Sequence, residues 1–296
     1  MNTHTNTFDL SSRTMLCSLN IGQWTARKLD KRVTREINES HGASHDAGRY
    51  NKVLIAQESL KAIARIAGQA RTTFYHHTSP WLDDGLRILP SANYQAMAAK
   101  MREHKESFEQ AVSEFVAAYP DLVDDARQRL NGMFNAADYP DQYDIACRFS
   151  WHIRTMPMAS DNDFRVDLAS EQVESIRQSI RADLEHATQA AMSDAWSRLH
   201  GVVSKMSERL TAYKAAENGG KATGIFRDSL VENIRDLIDV LPALNIAGDA
   251  NLSAMIDRAR DELCGHDAGA LRDDALTRDQ VKQSATEISD AMAAFM

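Results

Sequence analysis

Residues 170–213 read SEQVESIRQSIRADLEHATQAAMSDAWSRLHGVVSKMSERLTAY. Their apolar positions are Val173, Ile176, Ile180, Leu184, Ala187, Ala191, Ala195, Leu199, Val202, Met206, Leu210 and Tyr213, separated by steps of three or four. That spacing places all of them on one face of an α-helix. No proline or paired glycine interrupts the pattern before Asn218-Gly219-Gly220. A single helix of about 46 residues is expected, a rod roughly 70 Å long at 1.5 Å per residue. So long an amphipathic helix needs a cover for its stripe. Either a helix at 92–118 or another subunit would supply it, with Trp196, Leu199 and Met206 as the rod's contact residues.

The same periodicity continues downstream. Leu230, Ile234, Leu237 and Leu241 mark a helix ended by Pro242. Leu252, Ile256, Ala259 and Leu263 mark a second, ended by Gly265. Val281, Ala285, Ile288, Met292 and Phe295 mark a third. Upstream the pattern is mixed. Met15, Cys17, Leu19 and Ile21 alternate with their neighbours as a short strand does, and Gly85–Pro90 reads as another. Cys147, Phe149, Trp151 and Ile153 alternate with Arg148, Ser150, His152 and Arg154, which predicts a strand over 147–156 with Cys147 facing inward. Helices are expected at 24–39, at 51–76 and, capped by Ser91, at 92–118, where Pro120 should break the chain. The fold class expected is mainly α: a long helical hairpin or coiled-coil-like rod, with a small α+β N-terminal part holding a minor antiparallel sheet. The expected divisions are a mobile tail at 1–12, an α+β domain at 13–168, the long helix at 169–217 and a C-terminal helical region at 225–296.

The 296 residues are 43% hydrophobic and 26% charged, ordinary globular usage, which excludes a collagen-like or wholly disordered chain. Three scattered cysteines, Cys17, Cys147 and Cys264, do not make a disulfide framework and suit a reducing compartment. The first residues, Met1 to Thr7, lack the basic start and apolar run of an export signal. No stretch approaches ~18 consecutive apolar residues, so no membrane span is expected.

The formal net charge is −8, which opposes broad nucleic-acid binding. Locally the sign reverses. Trp24, Arg27, Lys28, Lys31, Arg32 and Arg35 fall within one predicted helix, whose apolar side is Leu29, Val33 and Ile37. Such a face can meet phosphates, but it can equally dock on the chain's own acidic C-terminal half or on an acidic neighbour subunit, or stay a solvated face.

Motifs with catalytic or metal chemistry are weak. His41 and His45 stand four apart, yet Gly42 and Gly48 make that segment a loop. Cys264-Gly265-His266-Asp267 reads as a helix end. His76 and His77 are adjacent, and a helix would point them about 100° apart. Gly219-Gly220-Lys221-Ala222-Thr223-Gly224 lacks P-loop order, and Asp161-Asn162-Asp163 lacks the further ligands of a calcium loop. No catalytic residue, no metal ligand and no cofactor is assigned.

Three strings have a familiar look. Leu19-Asn20-Ile21-Gly22-Gln23-Trp24-Thr25-Ala26-Arg27-Lys28 is similar to the opening of a phage and prophage family, the domain of unknown function 3150. Asp163-Phe164-Arg165-Val166-Asp167 and Phe226-Arg227-Asp228-Ser229-Leu230-Val231-Glu232-Asn233 resemble later stretches of such proteins. The resemblance implies a bacteriophage or mobile-element origin, hence the bacterial host cytoplasm. It also implies a partner role beside a MoxR-type AAA+ ATPase and a von Willebrand A-domain protein. It carries over no catalytic residue. Many relatives with this opening have Gly where Ala26 stands, a departure at the turn after Trp24.

The reading that results is a non-enzymatic helical scaffold or adaptor that forms a homo-oligomer or binds a protein partner. Its contact residues would be Trp24, Arg27, Lys28 and Lys31 on the basic segment and Trp196, Leu199 and Met206 on the rod. One alternative is a nucleic-acid-binding protein using residues 24–52. Another is an inhibitor of a host defence, or an enzyme whose site assembles on folding around residues such as His76 and His152.

Overall fold

The computed structural model describes residues 10–82, 85–158, 170–215 and 221–295. In chain order the elements are α1 (Leu10–Arg13), β1 (Thr14–Gly22), β2 (Arg27–Leu29), α2 (Lys31–Ser40), β3 (Asn51–Val53) and α3 (Lys61–His77). Next come β4 (Ser79–Pro80), β5 (Arg87–Pro90), α4 (Ser91–Leu130), α5 (Gln142–Ala146) and β6 (Ser150–Pro157). The long helix α6 (Ser170–Ala212) follows, then α7 (Ser229–Leu244), α8 (Ala250–Leu263), α9 (Ala268–Asp273) and α10 (Ala275–Met292). The fold is mainly helical with a small antiparallel sheet in the order β4-β5-β1-β6 and a two-stranded ribbon, β2-β3. Of the expected tail, residues 1–9 lie outside the described residues, and Leu10–Arg13 form a helical turn. Among the described residues no helix is long and apolar enough to cross a membrane.

The chain divides into two units. One comprises residues 1–18, 75–97 and 154–296, so α6 and the C-terminal helices group with pieces of the small sheet. Its core is built on the stripe of α6. Leu199, Val203, Met206 and Leu210 pack with Ile234, Leu237, Ile238 and Leu241 of α7, Leu252, Ile256 and Leu263 of α8, and Val281, Ala285 and Ile288 of α10. A smaller cluster joins Leu16 and Ile88 of the sheet to Ala187 and Ala191 higher on α6. The second unit comprises residues 19–74 and 98–153. It buries Ile63, Ile66 and Phe74 of α3 and Met101, Phe108 and Phe115 of α4.

Several expected boundaries moved, each for a local reason. The single basic helix at 24–39 is two elements, because Ala26 takes φ +51° and Asp30 caps a new helix by accepting from the Val33 amide at 3.1 Å. Right-handed helix cannot pass through that φ. Residues 51–53 are strand β3, and α3 starts only at Lys61, so the helix predicted from 51 is shorter. The break predicted at Pro120 does not occur, and α4 runs on to Leu130. Proline leaves the carbonyl four residues back without its helical donor. Here the Gln142 side chain donates to that carbonyl, Val116 O, at 3.0 Å. Pro242 lies inside α7 in the same way, with Arg260 Nη2 reaching Ile238 O at 3.5 Å. The strand predicted from Cys147 begins at Ser150. Cys147 is instead the exposed C-cap of α5, whose turn is nucleated by Asp141 accepting from the Asp144 amide.

Candidate functional site

The basic segment is built from a fixed base upward. Trp24 is half-buried, with its ring edge-on to Tyr119 at 6.0 Å and tilted against Phe115 at 6.3 Å. These ring contacts anchor the chain and leave the indole partly exposed. The left-handed turn at Ala26 then aims β2 along β3, pairing Arg27 with Val53, Lys28 with Lys52 and Leu29 with Asn51. Ala26 O accepts from the Leu54 amide at 2.7 Å.

Beneath this ribbon lies a charge network. Lys52 Nζ is 2.6 Å from Asp138 Oδ2, 3.3 Å from Asp30 Oδ2 and 2.8 Å from Met133 O. Lys28 Nζ meets the other Asp138 oxygen at 2.8 Å. Lys52 and Asp138 are buried, at 5% and 7% side-chain exposure. The Val33 amide and then Lys52 hold Asp30 below the usual carboxylate range. Burial alone would raise Asp138, but hydrogen bonds from Lys28 and Lys52 outweigh it and hold its value low. Burial would lower Lys52, and its two carboxylate partners reverse that, leaving it raised. Lys28 thus has an intrachain carboxylate partner, while its side chain stays 51% exposed.

Helix α2 sits on this base and buries only one side chain, Asn38, whose amide donates to His45 O at 3.2 Å. Ala43 N donates to Asn38 O, and Tyr50 N to Thr34 Oγ1, so residues 43–50 return along α2. Between helix and return segment lies an open groove of about 510 Å³. Lys31, Arg35 and Arg49 line it together with Leu29, Thr34, Ala43, Glu39 and Asp46. Arg27, Lys31, Arg35 and Arg49 are all exposed, and none forms an ion pair among the described residues. Leu29 and Ile37 are 38% and 42% exposed beside them.

The rod residues have a different fate. Leu199 and Met206 are fully buried, and Trp196 is 5% exposed. Trp196 Nε1 donates to Asp249 Oδ2 at 3.2 Å, and its ring stacks on Phe295 at 5.1 Å. The chain's own α7, α8 and α10 cover them, so the partner-binding role expected of these three is corrected: they are core.

His76 and His152 fall in different units. His76 Nε2–H donates to Asp236 O at 3.1 Å. Cys17 is fully buried, and burial pushes its thiol up to about 12, far from a reactive thiolate. Among the described residues no group of three or more His, Cys, Asp and Glu is placed to hold a metal. Asp161-Asn162-Asp163, the string 163–167 and Asn218-Gly219-Gly220 lie outside the described residues.

Sequence reasoning found Arg27, Lys31 and Arg35 but missed Asp30, Lys52, Asp138 and Arg49. Asp30 carried a readable signal, an N-cap aspartate three residues before Val33. The pairing of Lys52 with Asp138 crosses 86 residues of chain and carried none.

Fold and site together define a mainly helical protein with a small antiparallel sheet and an exposed basic ribbon–helix module. The sequence profile of the family described as Protein of unknown function (DUF3150) matches residues 12–241. The chain belongs to that family. No curated protein and no solved structure matches it.

Proposed function

We propose that this chain is a non-enzymatic adaptor of bacteriophage or mobile-element origin, holding an acidic protein partner on its basic module. The observation that carries this reading is the set Arg27, Lys31, Arg35 and Arg49, exposed and without ion pairs among the described residues in a chain of net charge −8. Nearby Lys28, Arg32 and Lys52 each have a carboxylate partner. Cations that the fold leaves unsatisfied serve recognition at little cost to stability. A protein suits them better than nucleic acid, because Glu39 and Asp46 stand on the same groove and repel a phosphate backbone. The family resemblance nominates a MoxR-type AAA+ ATPase or a von Willebrand A-domain protein as the partner. Self-association through Trp196, Leu199 and Met206 has no free surface to use.

The test is a tagged pull-down from cells carrying the gene in its native neighbourhood, with and without nuclease. The wild type is run beside the Arg27→Glu/Lys31→Glu/Arg35→Glu variant. A nuclease-resistant protein captured by the wild type and lost from the variant is expected. Partners that vanish with nuclease would replace the adaptor reading with nucleic-acid binding.

A further inference from the structure

We infer that the groove between α2 and residues 43–49 takes a short acidic peptide segment that carries an apolar side chain, an assignment that rests on the adaptor reading. Three features of the groove argue for this ligand class. The first is charge order. Tyr50 N is bonded to Thr34 Oγ1, and Asp30 N to Tyr50 O, so Arg49 comes back beside the first turns of α2, near Lys31 and Arg35. Ala43 N and Asn38 O join at the other end, where Glu39 and Asp46 line the wall. The groove therefore has a cationic end and an anionic end. A carboxylate-bearing segment is held at the first and turned away from the second. A uniformly anionic strand of phosphates would meet both.

The second feature is apolar surface. α2 buries no apolar side chain, and Leu29, 38% exposed, lines the groove together with Ala43. Ala43 and Gly48 keep the opposite wall low. A volume of about 510 Å³ lies within the range of sites that hold compact ligands. It has room for one or two side chains of a peptide laid across it. Charge alone would need no such depression.

The third feature is that the fold gains nothing from the placement. Lys31 and Arg32 occupy the first turn of α2, which has no acidic residue of its own. The helix dipole disfavours cations at that end. Arg32 is compensated by Glu36 at 2.8 Å, while Lys31 and Arg35 are not compensated. Asp30 caps that end of the helix, so Lys31 and Arg35 stand on the groove with no ion pair of their own among the described residues and are free for what the groove receives.

The experiment is fluorescence anisotropy with the full chain and four labelled probes: a glutamate-rich peptide containing leucine, the same peptide with serine for leucine, a neutral leucine peptide, and a single-stranded oligonucleotide of equal charge. Two variants accompany the wild type. Lys31→Glu/Arg35→Glu reverses the cationic end, and Ala43→Trp fills the groove with no change of charge. Circular dichroism checks that both fold. The leucine-containing acidic peptide should bind most tightly, and each variant should weaken it roughly tenfold, the loss of two surface ion pairs or of the apolar seat. Unchanged binding by Ala43→Trp, or an oligonucleotide that binds as tightly as the peptide, would overturn the inference. If the pull-down partner is lost on charge reversal while no acidic peptide binds, the groove inference fails and the adaptor reading stands. If the acidic peptide binds but the captured partner ignores charge reversal, the adaptor reading fails instead.

Discussion

Trp196, Leu199 and Met206 on α6 and Arg27, Lys31 and Arg35 on the ribbon–helix module were both marked by pattern, one apolar and one basic. The chain satisfies the first internally and leaves the second open. Apolar surface is non-directional, so any helix with a complementary stripe covers it, and α7, α8 and α10 do so within the same chain. An exposed cation is content in water, and folding has no reason to pair it. The contrast shows how the two signals differ in meaning. A long stripe reports a need for packing, which the chain itself meets here. Unpaired charge grouped beside a groove is better evidence of an outside partner.

The comparison breaks most severely at the base of the basic module. Lys52→Ala leaves Asp138 buried beside only one remaining cation. Removing one member of a buried pair costs about 3–5 kcal/mol. Urea unfolding should show that loss, and Lys52→Met should lose nearly as much, because the missing group is the charge rather than the stem. The same network sets a pH dependence. Asp30 and Asp138 are held below their ordinary values, so their contribution is complete above about pH 4 and is lost as pH falls through the folded values. The stability difference between wild type and Asp138→Asn should accordingly be flat from pH 7 to 5 and shrink below pH 4. The raised value of Lys52 acts at the opposite end, and its contribution fades only as strong alkali removes the proton.

On the rod, Leu199→Ala should cost about 3 kcal/mol, the usual loss for a fully buried leucine, as measured by denaturant midpoint. Its folded fraction should capture partner as well as the wild type does. Smaller effects sharpen the module. Ala26→Gly relieves an L-residue held at φ +51°, a strain of roughly 1–2 kcal/mol, offset in part by lost methyl packing and greater unfolded-state freedom. A net gain of up to ~1 kcal/mol is expected from thermal unfolding. Lys31→Glu at the start of α2 should add a few tenths of a kcal/mol through the helix dipole while it weakens partner capture. That opposite movement of stability and binding separates a recognition residue from a structural one.

Much of the fold could be read before the structure. The α6 stripe and the three C-terminal stripes gave their helices within a few residues, because period 3.6 over many turns leaves little ambiguity. What failed was local. Pro120 reads as a breaker from sequence, and only the distant Gln142 side chain at Val116 O explains its place inside α4. The helix predicted at 24–39 failed at a single residue, since nothing in the identity of Ala26 announces a left-handed φ. The candidate site was half legible. Arg27, Lys31 and Arg35 stood out by charge, whereas the groove depends on the return of residues 43–50 through Asn38 and Thr34. Burial of the rod's contact residues followed from tertiary packing that periodicity does not specify.

Hydrogen-exchange mass spectrometry of the full chain, alone and with its captured partner, addresses the contrast most directly. The account predicts that residues 187–210 are slow to exchange in the free protein and do not change on binding, while residues 27–49 gain protection. Rapid exchange over 187–210 in the free chain, slowed only when the partner is present, would contradict it and return the rod to the interface.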